Sequence, residues 1–268
     1  MSSAGLRALI ETQVGERLGG RFPAPLGWRE KAATQTAPTG IPEVDALTGG
    51  LPRGALTEVS GPESSGRTAL LFSLLAEFTQ RQEPCALVDA GDSFDPASAA
   101  AAGVELERLL WVRCSAGLWP AVARASCPRM RERDARATVA GTAALRCMEQ
   151  ALRAADLVLQ AGGFGLVALD LGDVPPAAAR RVPLTSWFRF RRAVEETPAA
   201  LVLLTQEALT GTCAALTLRL AVTVPGESSK LPAHARLLGG FSVAVEVARS
   251  AFARRPGSGM RTAFTTDL

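Results

Sequence analysis

Tyrosine is absent from this chain, histidine occurs once, at His234, and lysine twice, at Lys31 and Lys230. A lone imidazole removes the dyads and triads that need histidine as a base, and His234 reads as a loop residue rather than a catalyst. The five cysteines, Cys85, Cys114, Cys127, Cys147 and Cys213, are odd in number and form no Cys-x-x-Cys pair, so neither a disulfide framework nor a zinc site is indicated. No apolar run approaches the roughly 20 residues of a membrane span. The start, Met1-Ser2-Ser3-Ala4-Gly5-Leu6-Arg7, lacks the continuous apolar block of a secretory leader. These absences predict a cytoplasmic protein with no membrane contact and with reduced, mostly buried thiols.

What the chain has is an ordinary core and an unusual cation balance. At 268 residues and 47% hydrophobic, it suits one α/β domain with short attachments. The net charge of +3 is too mild to imply nucleic acid by itself. Nearly all of the positive charge is arginine, gathered at Arg124, Arg129, Arg131, Arg133 and Arg136 and again at Arg180, Arg181, Arg189, Arg191 and Arg192. A bias in genomic base composition produces the same enrichment without any binding role, so both readings stand.

Hydrophobic periodicity divides the chain into three parts. In residues 1–38, Leu6, Ile10 and Val14 recur at helical spacing before Pro23 and Pro25, which predicts a short amphipathic helix and a linker. In residues 39–250, short apolar strands alternate with helices. The expected strands are Leu56–Ser60, Cys85–Asp89, Leu109–Arg113, a run from Phe164 ending at Asp170, and Ala200–Thr205, with helices at 68–79 and 141–161. Two later runs, 217–224 and 241–247, are expected as antiparallel additions. The fold class is therefore α/β, a doubly wound, mostly parallel sheet with antiparallel edge strands, its ligands at the carboxyl ends of the strands. Residues 251–268 read as a short tail.

One strand runs into Gly61-Pro62-Glu63-Ser64-Ser65-Gly66-Arg67-Thr68 and a helix follows. That context is what a phosphate loop requires: Gly61 and Gly66 let backbone N–H groups, including those of Ser64 and Ser65, turn toward phosphate oxygens, and the helix adds its positive dipole end. In this motif a lysine contacts the β- and γ-phosphates and a hydroxyl holds magnesium. Thr68 suits the second role, but position 67 is arginine, a longer and planar cation that does not replace lysine conservatively. Asp170, ending an apolar strand, suits the carboxylate that orients magnesium, with a turn-capping aspartate as the plainer reading.

Beyond the loop, Thr39-Gly40-Ile41, Asp45, Gly49-Gly50-Leu51-Pro52-Arg53-Gly54, Asp89-Ala90, Asp95-Pro96 and Gly103-Val104 occur in an order that resembles the RecA core. The likeness thins through Asp170 and Thr205-Gln206 to about residue 250. It implies a RecA-like P-loop core in which Gln206 corresponds to the γ-phosphate sensor. Where RecA carries the glutamate that activates water, this chain has Gly91, with Asp92 beside it. Where RecA stacks adenine on an aromatic ring, it has Ser98, which removes a stacking contribution of about 1–3 kcal/mol. Arg249 is the one candidate for the cations that cross a RecA filament interface, and the RecA C-terminal domain has no counterpart. The resemblance therefore implies a degenerate pseudo-ATPase rather than an enzyme, with no catalytic residue and no required cofactor, ATP and magnesium binding being at most weakened.

Residues 174–192 stand where RecA has its first DNA-binding loop and interleave Arg180, Arg181, Arg189, Arg191 and Arg192 with Trp187, Phe188 and Phe190. Such a stretch serves DNA phosphates and bases, or a protein interface anchored by Trp and Arg, or is a helix with its aromatics in the core. Together with Pro183-Leu184-Thr185-Ser186-Trp187-Phe188-Arg189, the shortened core is similar to the ImuA family. That likeness implies a non-catalytic accessory role in DNA-damage-induced (SOS) translesion synthesis, with a polymerase homologue and RecA as partners and DNA as a further one. An active, ATP-dependent, recombinase-type DNA-binding ATPase is the alternative.

Overall fold

In the computed structural model the described residues are 35–114, 132–195, 197–223, 240–251 and 260–267. The expected N-terminal helix, the linker before residue 35, the first arginine cluster as far as Arg131, His234 and Cys127 lie outside them. The linker's last residues are not loop: Thr36–Ala37 (β1) pairs antiparallel with Leu51–Pro52 (β2), flanking the helix Pro42–Thr48 (α1). This brings the Thr39-Gly40-Ile41 run under the phosphate-loop helix. Thr39 N–H donates to Asp45 Oδ1 at 2.9 Å, and Ser73 Oγ donates to the Thr39 carbonyl at 3.0 Å.

The remaining strands are Ala55–Ser60 (β3), Cys85–Asp89 (β4), Leu109–Arg113 (β5), Leu166–Asp170 (β6), Ala200–Thr205 (β7), Leu216–Thr223 (β8), Gly240–Ser250 (β9) and Arg261–Asp267 (β10). They form one eight-stranded sheet in the order β10-β9-β8-β3-β7-β6-β4-β5. Strands β3 to β8 run parallel to one another, while β9 is antiparallel to β8 and β10 to β9. The fold class read from sequence thus holds, with one correction of detail. The run at 217–224, expected as antiparallel, is antiparallel to β9 but parallel to β3, because the chain crosses over after β7 and re-enters from the same end. The C-terminal stretch also contributes β10, which sequence reading missed.

Helices cover both faces of the sheet. On one, Arg67–Gln80 (α2) buries Leu70, Leu71, Leu74, Leu75 and Phe78 against β3, β4 and β9, each large side chain contributing about 1.5–3 kcal/mol. On the other, Glu132–Ala161 (α4) buries Met148, Ala151 and Ala155, and Leu184–Glu195 (α6) buries Trp187, Phe190 and Val194. The short helices Pro96–Ala101 (α3) and Pro176–Ala179 (α5) lie in the connections. The parallel registers end together: Ser60 pairs with Thr205 and Asp89 with Asp170. One end of the sheet therefore carries the phosphate loop and both aspartates. Among the described residues no helix is long and apolar enough to cross a membrane.

Candidate functional site

Between β3 and α2 the loop turns through two left-handed residues, Ser64 (φ 58°) and Gly66 (φ 88°). Successive N–H groups in such a turn form a concavity suited to an anion. Gly61 N–H is held by the Thr205 carbonyl at 3.1 Å, and Ser65 N–H by the Pro62 carbonyl at 3.3 Å. Both glycines are forced by packing. A Cβ at Gly61 would stand 2.4 Å from Ser65 Oγ, and one at Gly66 would stand 2.4 Å from a Val243 methyl on β9. Ser65 itself is 2% exposed, and its hydroxyl, over Gly61, has no hydrogen-bond partner among the described residues. Ser64 and Thr68 are exposed.

Arg67, in the first turn of α2, sends its guanidinium across the end of the sheet to Gly172. Its Nη2 donates to the Gly172 carbonyl at 3.4 Å, and Gln206 Nε2 donates to the same oxygen at 2.9 Å. A Cβ at Gly172 would meet Arg67 Nη1 at 2.6 Å and Asp170 Oδ1 at 2.9 Å, so only glycine lets the cation and the carboxylate share this corner. Arg67 Nη1 is buried without an acceptor among the described residues. Asp170 accepts from Gly172 N–H at 2.7 Å. Burial pushes its carboxyl up to about 6, Asp89 and Asp173 add to the rise, and the Gly172 hydrogen bond and Arg67 oppose it. The loop, Arg67, Asp170 and Gln206 are thus one constellation, as sequence reading placed them. Unpartnered donors at Ser65 and Arg67 fit a phosphate chain, and Thr68 with Asp170 would be the residues to hold its magnesium.

The Gly91 position is more closed than sequence implies. Asp89 gathers the turn after β4, accepting from Gly91 N–H at 3.1 Å and Phe94 N–H at 2.9 Å. The turn rests on Asp173, so that a Cβ at Gly91 would fall 2.6 Å from Asp173 Oδ2. Asp92 does not stand in for a missing base. Its carboxylate accepts from Nε and Nη2 of Arg113, at 2.6 and 2.7 Å, and that pairing holds it below the usual range. Ser98 is tied back to Asp95, the cap of α3, its N–H donating to Asp95 Oδ2 at 3.0 Å, and presents no platform to a base. Sequence reasoning missed Asp173: its approach to Gly91 follows from β4 lying beside β6, which no local pattern reports.

The arginine and aromatic segment separates into two faces. Trp187 and Phe190 are each 1% exposed and lie in the core with ring centroids 6.0 Å apart. Trp187 was expected as a partner contact; instead it occupies the inward stripe of α6 with Phe190 and Val194, at helical spacing. Several arginines are committed within the chain: Arg180 to Glu207, Arg189 to Asp156 at 3.3 Å and Arg191 to Glu195 at 2.9 Å. Arg181 and Arg192 are exposed and make no ion pair with any described residue. With Leu184 and Phe188, 53% and 48% exposed, they form an outward face that is both cationic and apolar. Arg249, considered for an intersubunit contact, donates to the Gly211 carbonyl at 2.9 Å.

A second residue that sequence did not single out is Glu58, buried in the middle of β3. Its carboxylate accepts from Leu209 N–H at 2.6 Å, Thr210 N–H at 3.2 Å and Thr210 Oγ1 at 2.7 Å. It pins the connection between Gln206 and β8.

Residues 8–118, which include β1 to β5 and the phosphate loop, match the family of the RecA N-terminal domain. Protein RecA of Prochlorococcus marinus (strain MIT 9303) is 41% identical over 103 residues, 38% of this chain and 27% of that protein. Protein RecA of Lactobacillus acidophilus is 46% identical over 85 residues, 30% of this chain and 23% of that protein. Protein RecA of Gloeobacter violaceus is 38% identical over 103 residues, 38% of this chain and 28% of that protein. The matched stretch is thus about a quarter of the length of these relatives. Sequence and fold together support a RecA-like relationship, concentrated in residues 8–118, which carry the phosphate loop and supply strands β3, β4 and β5 of the sheet.

Proposed function

We propose that this protein is a non-catalytic, RecA-like accessory of the DNA-damage (SOS) response. It acts in the cytoplasm and supports error-prone translesion synthesis as a member of the ImuA family, through contacts with a polymerase homologue and with RecA. The carrying observation is the fate of the nucleotide site. The phosphate loop is intact in backbone, yet its lysine position holds an arginine drawn to Gly172, and the position of the water-activating glutamate is a glycine with its side-chain space filled. Charge stabilisation and nucleophile activation are each worth orders of magnitude in rate. A core that loses both while keeping its sheet is one retained for binding. The outward face of Arg181, Leu184, Phe188 and Arg192 supplies a surface of the kind that anchors protein interfaces or tracks a nucleic-acid backbone.

The test is a pull-down with the full chain from damaged cells, read by mass spectrometry, in parallel with a Phe188→Ala, Arg192→Glu variant. Capture of RecA or a polymerase homologue by the native chain, lost in the variant, is the expected result. Failure to capture either, with steep salt-dependent binding of single-stranded DNA instead, would replace the accessory role with a DNA-binding one. One observation favours the second reading, an active ATP-dependent recombinase-type ATPase: Asp173 sets a carboxylate against Gly91, where the glutamate is missing. If that carboxylate serves, Asp173→Asn abolishes an ATPase activity present in the native chain.

A further inference from the structure

Arg67 carries more than the loss of a lysine. Its guanidinium lies beside Asp170, the carboxylate that would orient a divalent cation, and Asp89 and Asp173 act on that same carboxylate at this end of the sheet. A fixed cation is therefore built into the corner that magnesium would enter. Two donors there remain unused among the described residues, Ser65 Oγ within the loop and Arg67 Nη1, both buried and without an acceptor. A buried donor left unpaired is costly, which favours a ligand rich in acceptor oxygens. The N-terminus of the 14-residue helix α2 and the left-handed turn at Ser64 and Gly66 point the same way. Magnesium and the guanidinium would compete for Asp170, like charges at close range in a partly buried site.

We propose that the loop takes the phosphate chain of a nucleoside triphosphate without a divalent cation, Arg67 supplying the charge that magnesium supplies elsewhere. Arginine is suited to this, since its planar donor fork engages two phosphate oxygens at once and keeps its charge at any working pH. The property goes beyond the accessory role and does not depend on it, because partner binding at the α6 face requires no nucleotide.

The experiment is calorimetric titration of the full-length protein with ATP, once in excess EDTA and once in excess magnesium, for the native chain, Arg67→Lys and Ser65→Ala. For the native chain the expected dissociation constants in the two conditions agree within about threefold, while Arg67→Lys binds at least about tenfold more tightly with magnesium than without. Ser65→Ala is expected to weaken binding in both conditions alike. The proposal is overturned if the native chain takes up no ATP in EDTA, or if magnesium tightens its binding more than about tenfold as it does for the lysine variant. The native comparison needs no variant to fold, and a pull-down that captures no partner leaves its outcome untouched.

Discussion

At Gly91 the backbone runs so close to Asp173 that adding a glutamate is not a simple restoration. Gly91→Glu must displace the Asp173 carboxylate, at an expected cost of about 1–3 kcal/mol in a denaturant titration. It should leave phosphate release at background, and the paired change Gly91→Glu with Asp173→Gly should recover the lost stability. Asp170 supports a prediction of opposite kind. Its folded carboxyl titrates at about 6, above the 3.8 of a free aspartate, because burial disfavours the charged form. The folded state then holds the proton more tightly than the unfolded one. The group therefore costs nothing below the unfolded value, and its penalty grows as pH rises through that window and is full above 6. Asp170→Asn, whose amide oxygen still accepts from Gly172 N–H, is expected to stabilise the protein by roughly 1–2 kcal/mol at pH 8 and to lose that advantage as pH falls toward 4. Paired thermal melts across that range measure it; an advantage constant with pH would refute the assignment to Asp170.

Helix α6 shows how an element sorts a motif that looks uniform in sequence. Trp187 and Phe188 are adjacent, yet one faces the core and the other water. Trp187→Ala is expected to cost about 3–5 kcal/mol of stability, whereas Phe188→Ala should move it by less than about 1 kcal/mol. Urea titrations of both variants distinguish them, and equal costs would place both rings in the core. In strand β3, Glu58→Ala removes the acceptor of three donors and should free the 207–213 connection at about 1–3 kcal/mol, seen as faster amide exchange at Leu209 and Thr210. Strands β3 to β7 and helix α2 were legible because each is an apolar run closed by glycine, proline or charge. The direction of β8 was not, since a strand's sense depends on where the chain crosses over, and β10 escaped because, of the residues from Arg261 to Thr265, it sends one, Phe264, deep into the core.

For the molecule as a whole, the phosphate loop, Arg67, Asp170 and Gln206 could be placed at one end of the sheet from motif order, because parallel strands deliver their carboxyl ends to the same edge. Asp173 and Glu58 could not, for each acts on a segment remote in sequence through strand adjacency. Nor did motif order reveal that Arg67 turns to Gly172, which converts a missing lysine into an internal contact with the sheet end. On the reading proposed above, the RecA-like core keeps its nucleotide site in shape and has withdrawn it from chemistry. The most direct test of that reading is phosphate release from magnesium–ATP by the purified full chain, with and without single-stranded DNA. The account predicts release indistinguishable from a protein-free control in both conditions; DNA-stimulated turnover by the native chain, abolished in Asp173→Asn, would contradict it.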